Sequence, residues 1–170
     1  MIEARAIRDD QESAFDAAIA LGSNVGDKRA NIARAIELLT ARGDIVLVRR
    51  SRDYRSAPWG VLKQDWFVNA VITVATELGP HDLLARCQDV ETEMGRVRLK
   101  KWGPRLIDVD VLTYRDQRIN DPDLIVPHPF IAERGFVLVP LREVAPALRI
   151  GGESLDVLIG RIDTDDLAAL

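Results

Sequence analysis

From Arg105 to Val111 the chain reads Arg-Leu-Ile-Asp-Val-Asp-Val, a period-two pattern that dictates a β-strand with both faces committed. Ile107, Val109 and Val111 share one face and suit a core. Asp108 and Asp110 share the other, with Cα atoms roughly 6.5–7 Å apart at the usual strand rise. Two carboxylates side by side in an apolar strand repel each other and are costly to desolvate unless a cation neutralises them. Hard oxygen donors with no cysteine or histidine beside them suit Mg²⁺, which keeps several waters and bridges carboxylates to substrate phosphates. Arg105, just upstream, adds a donor for the same phosphates. A solvated edge strand would also tolerate the pair, and the metal reading draws its support from the surrounding motifs.

Around that strand, helical and strand periods alternate. A charged extension, residues 1–14, precedes a single domain over residues 15–170. Asp16 to Leu21 reads as a first strand ended by Gly22-Ser23-Asn24. Asp27 can cap a helix whose stripe is Ile32, Ala35, Ile36 and Leu39. Gly43 ends it, and Ile45 to Val48 begin a second strand. Tyr54 to Gln64, with Pro58 and Gly60, reads as a long loop. Trp66 to Thr76 is the strongest strand pattern, with Phe67, Asn69 and Val71 facing one way and Val68, Ala70 and Ile72 the other. Pro80 opens a second helix with Leu83, Leu84, Cys87, Val90 and Met94 as its stripe, ended by Gly95. A basic loop leads to the Asp-x-Asp strand, followed by Asp- and Pro-rich turns and the apolar segment Phe136-Val137-Leu138-Val139. Residues Ser154 to Arg161 suit a short final helix. The order β-α-β-β-α-β predicts an α+β fold, a ferredoxin-like sandwich with a mainly antiparallel sheet.

Composition narrows the function classes. A net charge of −4 argues against a dedicated nucleic-acid binder, although Arg96-Val97-Arg98-Leu99-Lys100-Lys101 forms a local basic patch. Cys87 is the single cysteine, so no intrachain disulfide can form. No apolar run approaches the ~20 residues of a membrane span, and no signal-peptide pattern is present. The expectation is a cytoplasmic protein that contacts neither membrane nor nucleic acid.

Several constellations carry candidate chemistry. Gly22-Ser23-Asn24-Val25-Gly26-Asp27-Lys28 fails as a phosphate-binding P-loop, because the glycine spacing is short and Asp27 would repel phosphate; it reads as a strand-to-helix turn. Phe67 and Asn69 on one strand face can stack a flat heterocycle and read its edge, or can equally serve as core ring and hydrogen-bonded amide. Trp59, Trp66 and Trp102 sit in or beside loops, where large aromatics can close over a ligand. Gln88 and Glu91 adjoin on the second helix, and Pro127-His128-Pro129 holds a histidine in an extended segment. Clustering of Arg96, Arg98, Lys100, Lys101 and Arg105 beside the paired acids favours an anionic substrate.

In order, Ala20-Leu21-Gly22-Ser23-Asn24-Val25-Gly26-Asp27, Phe67-Val68-Asn69-Ala70, Gly95-Arg96-Val97-Arg98, Trp102-Gly103-Pro104-Arg105 with Asp108-Val109-Asp110, Pro127-His128-Pro129 and Arg134-Gly135-Phe136-Val137-Leu138-Val139-Pro140-Leu141 together resemble the 6-hydroxymethyl-7,8-dihydropterin pyrophosphokinase family of folate biosynthesis. The resemblance runs from about Ala17 to Pro146. It implies ATP as co-substrate, a pterin as acceptor and two Mg²⁺ on Asp108 and Asp110. It further implies that Arg96 and Arg105 neutralise the moving phosphates, and that Phe67 and Phe136 sandwich the pterin. Asn69 would bond the pterin edge, with Ser56, Ala57 and Trp59 close by. Gln88, Glu91, Arg98, Trp102, Ile107, Val111, His128 and Arg134 would form the ATP site. Several relatives carry a tyrosine where this chain has Phe67, and some carry an aromatic where it has Pro129 or a proline where it has Ala57. A metal-dependent phosphodiesterase or nuclease and a noncatalytic pterin- or nucleotide-binding module are the competing readings. The first leaves the aromatic clusters without a role, and the second leaves the paired acids without one. A monomer is expected.

Overall fold

The computed structural model describes residues 14–58, 65–95 and 106–170. The N-terminal extension up to residue 13, Trp59 and the basic segment with Arg96, Arg98, Trp102 and Arg105 lie outside the described residues.

The first strand, β1 (Ala17–Ser23), runs further than its sequence suggests. Gly22 and Ser23 do not end it; they pair with Asn69 and Val68, and Gly22 also pairs with Asp108. Helix α1 (Lys28–Thr40) follows, its Asp27 carboxylate accepting the Ala30 amide as an N-cap. It buries Ile32, Ala35, Ile36 and Leu39. Gly43 takes a left-handed φ of 78° that turns the chain into β2 (Ile45–Arg50). The expected loop from Tyr54 begins instead as a strand, β3 (Tyr54–Ser56). Strand β4 (Phe67–Thr76) spans the width of both: β2 pairs with its C-terminal half and β3 with its N-terminal half. At the step between them the Ser51 backbone amide bonds the Val71 carbonyl, and its hydroxyl accepts the Val71 amide, each at 2.9 Å. The break is therefore stitched to β4, which explains why the polar, proline-flanked sequence still makes a strand.

Helix α2 (Pro80–Glu93) starts with proline in its first turn and buries Leu83, Cys87 and Val90, as the periodicity predicts. Strand β5 (Asp108–Tyr114) pairs with β1, giving a sheet order β5-β1-β4-β2 in which every pairing is antiparallel. That is the ferredoxin-like order expected of β-α-β-β-α-β. A bulge in the β1–β5 ladder lets Leu112 face one core while Tyr114 returns to the other.

The rest of the chain packs on both sheet faces: Leu124 and Val126 join the core under α1 and α2, and the helices that follow cover the second face. Two short strands, β6 (Ile119–Asn120) and β7 (Ile125–Val126), form a hairpin. The segment Phe136–Val139 lies within helix α3 (Gly135–Val144). A second hairpin, β8 (Arg149–Ile150) and β9 (Glu153–Ser154), leads into α4 (Leu155–Ile159), capped by Ser154. Strand β10 (Ala168–Ala169) closes the chain against β3.

Two apolar cores result. Ile19, Leu21, Val68, Ala70, Ile72, Val109 and Val111 face α1 and α2. Ala18, Val71 and Leu112 face α3 and α4, which contribute Val137, Leu138, Leu141, Leu155 and Leu158. The sheet is thus covered on both faces. No helix among the described residues is long and apolar enough to cross a membrane.

Candidate active site

The sheet register assembles the site. Ser56 pairs with Phe67, Asn69 with Gly22, Gly22 with Asp108, and Ala20 with Asp110. Alternation puts Phe67, Asn69, Gly22, Ala20, Asp108 and Asp110 on the face that looks toward α3. One cavity opens over this row. Ser56, Ala57, Phe67, Asn69, Asp108, Asp110, His128, Arg134 and Phe136, all candidates from the sequence, line it together.

The other candidates lie elsewhere. The side chains of Ile107 and Val111 are buried in the core under α1 and α2, so only their backbone can meet a ligand. On α2, Gln88 is exposed and Glu91 is buried, and neither lines the cavity. Glu91 and Asp110 both act on Cys87, whose thiol is pushed far up, first by burial and then by those two carboxylates. Cys87 is therefore an inert core thiol at neutral pH.

The sequence did not single out Gly22, Ala20, Leu112, Phe130 or Val137 as cavity residues. The first two could have been found by carrying the β1 alternation through Gly22 and pairing it with the Asp-x-Asp strand. Leu112 follows from the same alternation in β5 as Asp108 and Asp110, whereas Phe130 and Val137 depend on α3 and the turn before it, which no local period reveals.

Gly22 forms the floor. A Cβ there would stand 3.0 Å from Asn69 Oδ1 and 3.7 Å from a Phe67 ring carbon. Asn69 is itself held: its Nδ2 donates to Ser56 Oγ at 2.7 Å, a fully buried bond. On the α3 side, the Arg134 guanidinium lies 5.0 Å from the Phe130 ring centre and 5.7 Å from that of Phe136. Burial pushes the Arg134 pKa down, and Asp110, Asp108 and Glu133 pull against that shift. An arginine stays charged under such pressure.

His128 is different. Burial, helped by the Arg134 charge, lowers its pKa to about 4, so the ring is neutral at pH 7. Its Nδ1 accepts the Phe130 amide at 3.2 Å, which leaves the ring proton on Nε2. The tautomer makes His128 a hydrogen-bond donor at the edge of the cavity.

Asp108 and Asp110 are half-buried, share the cavity and have a soft-ligand-free setting of oxygen donors. Such a pair fits Mg²⁺ better than zinc or copper.

A family model described as 7,8-dihydro-6-hydroxymethylpterin-pyrophosphokinase matches residues 18–146. The chain belongs to this pyrophosphokinase family. A 2-amino-4-hydroxy-6-hydroxymethyldihydropteridine pyrophosphokinase from Methylorubrum extorquens is 51% identical over 145 residues, 85% of this chain and 92% of the relative. The Aquifex aeolicus pyrophosphokinase is 44% identical over 75% of this chain and 79% of its own length. Among solved structures, an HPPK-DHPS in complex with substrates superposes with a TM-score of 0.70 at 12% identity, over 87% of this chain. A Plasmodium falciparum HPPK-DHPS gives a TM-score of 0.67, also at 12% identity, over 92% of it. At such identities the likeness shows the fold. The chain spans less than half the length of those two proteins, 43% and 47%. The shared fold accounts for the antiparallel sheet and its helices.

Proposed function

We propose that this pyrophosphokinase transfers the β,γ-pyrophosphoryl group of ATP to the hydroxymethyl oxygen of 6-hydroxymethyl-7,8-dihydropterin, with Mg²⁺ held by Asp108 and Asp110. The observation that carries the reading is the single row on one sheet face, from the Phe67 ring and Asn69 amide across Gly22 to the two acids. A flat acceptor and a metal-bound phosphate chain need those two chemistries at that separation.

On the acceptor side, Phe67 and Phe136 supply two aromatic faces for the pterin. Asn69, oriented by Ser56, meets the heterocycle edge, Ala57 lines the same cavity, and Trp59 is a further contact assigned to the pterin. On the nucleotide side, His128 donates from Nε2 and Arg134 offers a fixed positive charge. Gln88, Glu91, Arg98 and Trp102, with the backbone of Ile107 and Val111, make up the remaining ATP contacts. Two Mg²⁺, when bound, would shield the triphosphate and stabilise charge on the attacking and leaving oxygens. In the reaction the hydroxymethyl oxygen bonds to the β-phosphorus and loses its proton. The bond from that phosphorus to the α,β-bridging oxygen breaks, and AMP leaves. Arg96 and Arg105 neutralise the charge that moves with the phosphates. The same reading makes the protein a cytoplasmic monomer whose partners are its two substrates.

Product analysis tests it. Incubation with ATP, Mg²⁺ and the hydroxymethyl pterin yields AMP and the pterin diphosphate, with every component required. ADP would mean ordinary γ-phosphoryl transfer. Metal-dependent cleavage of nucleic acid without pterin would favour a nuclease.

A further inference from the structure

The chain beyond residue 146 lies outside the family match, yet it packs against β3 and Ala57, which border the cavity. Strand β10 adds to the free edge of β3, with Ala168 opposite Arg55 and Ala169 opposite Tyr54. The Leu170 amide bonds the Asp53 carbonyl at 2.9 Å and extends that pairing. Just before β10, the Asp166 carboxylate accepts the Ala57 amide at 3.0 Å. The same segment presses on the start of α3. A Cβ on Gly135, next to Phe136, would stand 3.0 Å from Thr164 Cγ2 and 3.5 Å from Ile162 Cδ1.

We infer that Asp166 is a positioning residue for the pterin pocket, acting through the Ser56–Ala57 peptide on Asn69. The Ala57 N–H and the Ser56 carbonyl belong to one planar peptide, so fixing that N–H fixes the rotation of the plane that follows Ser56. Ser56 pairs with Phe67 in the sheet, and its Oγ accepts the Asn69 Nδ2 bond at 2.7 Å. A carboxylate at the chain's end thereby sets the direction of the amide at the cavity floor. The contact joins residues 109 apart in sequence, and Ala57 is exposed enough at its amide that water would otherwise solvate it. The inference rests on the assignment of Ser56, Ala57 and Asn69 to the pterin side.

Asp166→Ala and Asp166→Asn test it together, because the asparagine oxygen can accept the same bond. Asp166 is exposed, so neither change threatens the fold. Loss of one exposed hydrogen bond to a charged acceptor predicts a pterin KM about three- to tenfold higher in Asp166→Ala. kcat at saturation and the KM for ATP stay at wild-type values. Asp166→Asn returns the pterin KM to within about twofold of wild type, as a hydrogen-bond acceptor at that position predicts. Hydrogen exchange at the Ala57 amide, read without any ligand, quickens in Asp166→Ala and recovers in Asp166→Asn. An unchanged pterin KM in Asp166→Ala, a parallel loss of ATP affinity, or an asparagine variant as impaired as the alanine one would each overturn the inference. Wild-type protein that makes no AMP from ATP and pterin would remove the assignment beneath it, and the inference with it. The two failures are distinguishable, since one is seen in wild type and the other only in the variants.

Discussion

Gly22→Ala adds one methyl group at the point where the pterin side and the acid pair meet. The new Cβ would stand 3.0 Å from Asn69 Oδ1, close enough that the amide must give by a few tenths of an ångström. Asn69 has little freedom to give, because its Nδ2 is tied to buried Ser56 Oγ at 2.7 Å. Either that bond lengthens or the amide rotates. Overpacking of this kind costs about 1–3 kcal/mol. Replacing glycine in an extended strand restores about 0.4–1 kcal/mol through the unfolded chain. The net loss of stability is therefore about 0–2.6 kcal/mol, and the protein still folds. Pterin binding suffers more. A misdirected edge hydrogen bond is worth about 1 kcal/mol, and a methyl rising under the ring displaces the stacked heterocycle from Phe67. Together these predict a pterin Kd raised at least about tenfold, since each 1.4 kcal/mol is a factor of ten. The new methyl has Asn69 and Phe67, not the acids, as its nearest side chains, so ATP binding changes by less than about twofold. Calorimetric titration with each substrate, beside a thermal melt, separates the effects. A pterin Kd within twofold of wild type in a folded variant would refute the reasoning, because it would mean that the cavity floor does not touch the pterin.

Asp108→Ala and Asp110→Ala should each nearly abolish Mg²⁺-dependent turnover; normal turnover in either variant would strip that residue of its role. Phe67→Ala and Phe136→Ala should weaken pterin binding by about 1–3 kcal/mol per ring face, as for base stacking, and leave ATP binding almost unchanged; equal losses for both ligands would return the rings to a packing role. His128, held down to about 4 by burial and the Arg134 charge, gives a pH signature. The unfolded chain takes up a proton below about pH 6.5 that the folded chain refuses until about pH 4. Stability of the ligand-free protein should thus be full above pH 6.5, fall between 6.5 and 4, and lose at most about 2–3 kcal/mol, the partly exposed ring keeping it below the full shift. His128→Gln should flatten that part of a denaturation profile, and an unchanged profile would sink the assignment.

The central sheet and its two helices were legible because each declares itself locally. Asp27 and Gly43 bracket α1, Pro80 and Gly95 bracket α2, and the alternation in Phe67–Thr76 and Asp108–Tyr114 fixes which face is core. The paired acids and the Phe67–Asn69 face were legible for the same reason. What escaped depends on distant partners. Tyr54–Ser56 is a strand because β4 offers it an edge and Ser51 stitches the step. The Tyr54 hydroxyl and the Arg52 amide and guanidinium converge on Glu143 of α3. Burial would raise that carboxyl, and these donors outweigh it and hold it below the ordinary range. No stretch of sequence announces a carboxylate ninety residues away as the latch of a strand. Asp166 meets the Ala57 amide in the same way, through a return of the chain that no single period predicts.

The three strands β4, β1 and β5 also act as a ruler. Neighbouring strands lie about 4.8 Å apart, so Asn69 and Asp108, two rungs from each other across Gly22, are separated by about 10 Å of backbone. Substitution can change what stands on a rung but not the spacing. Nor can the strands slide to suit a different ligand, because a slip of one residue would turn Asp108 and Asp110 into the core under α1 and α2 and Val109 into the cavity. The reach from ring to phosphorus is therefore set by the hydrogen-bonded ladder itself. A synthetic compound that joins a flat heterocycle to an anionic tail should bind best when its linker matches that fixed interval, and should lose affinity steeply on either side of it.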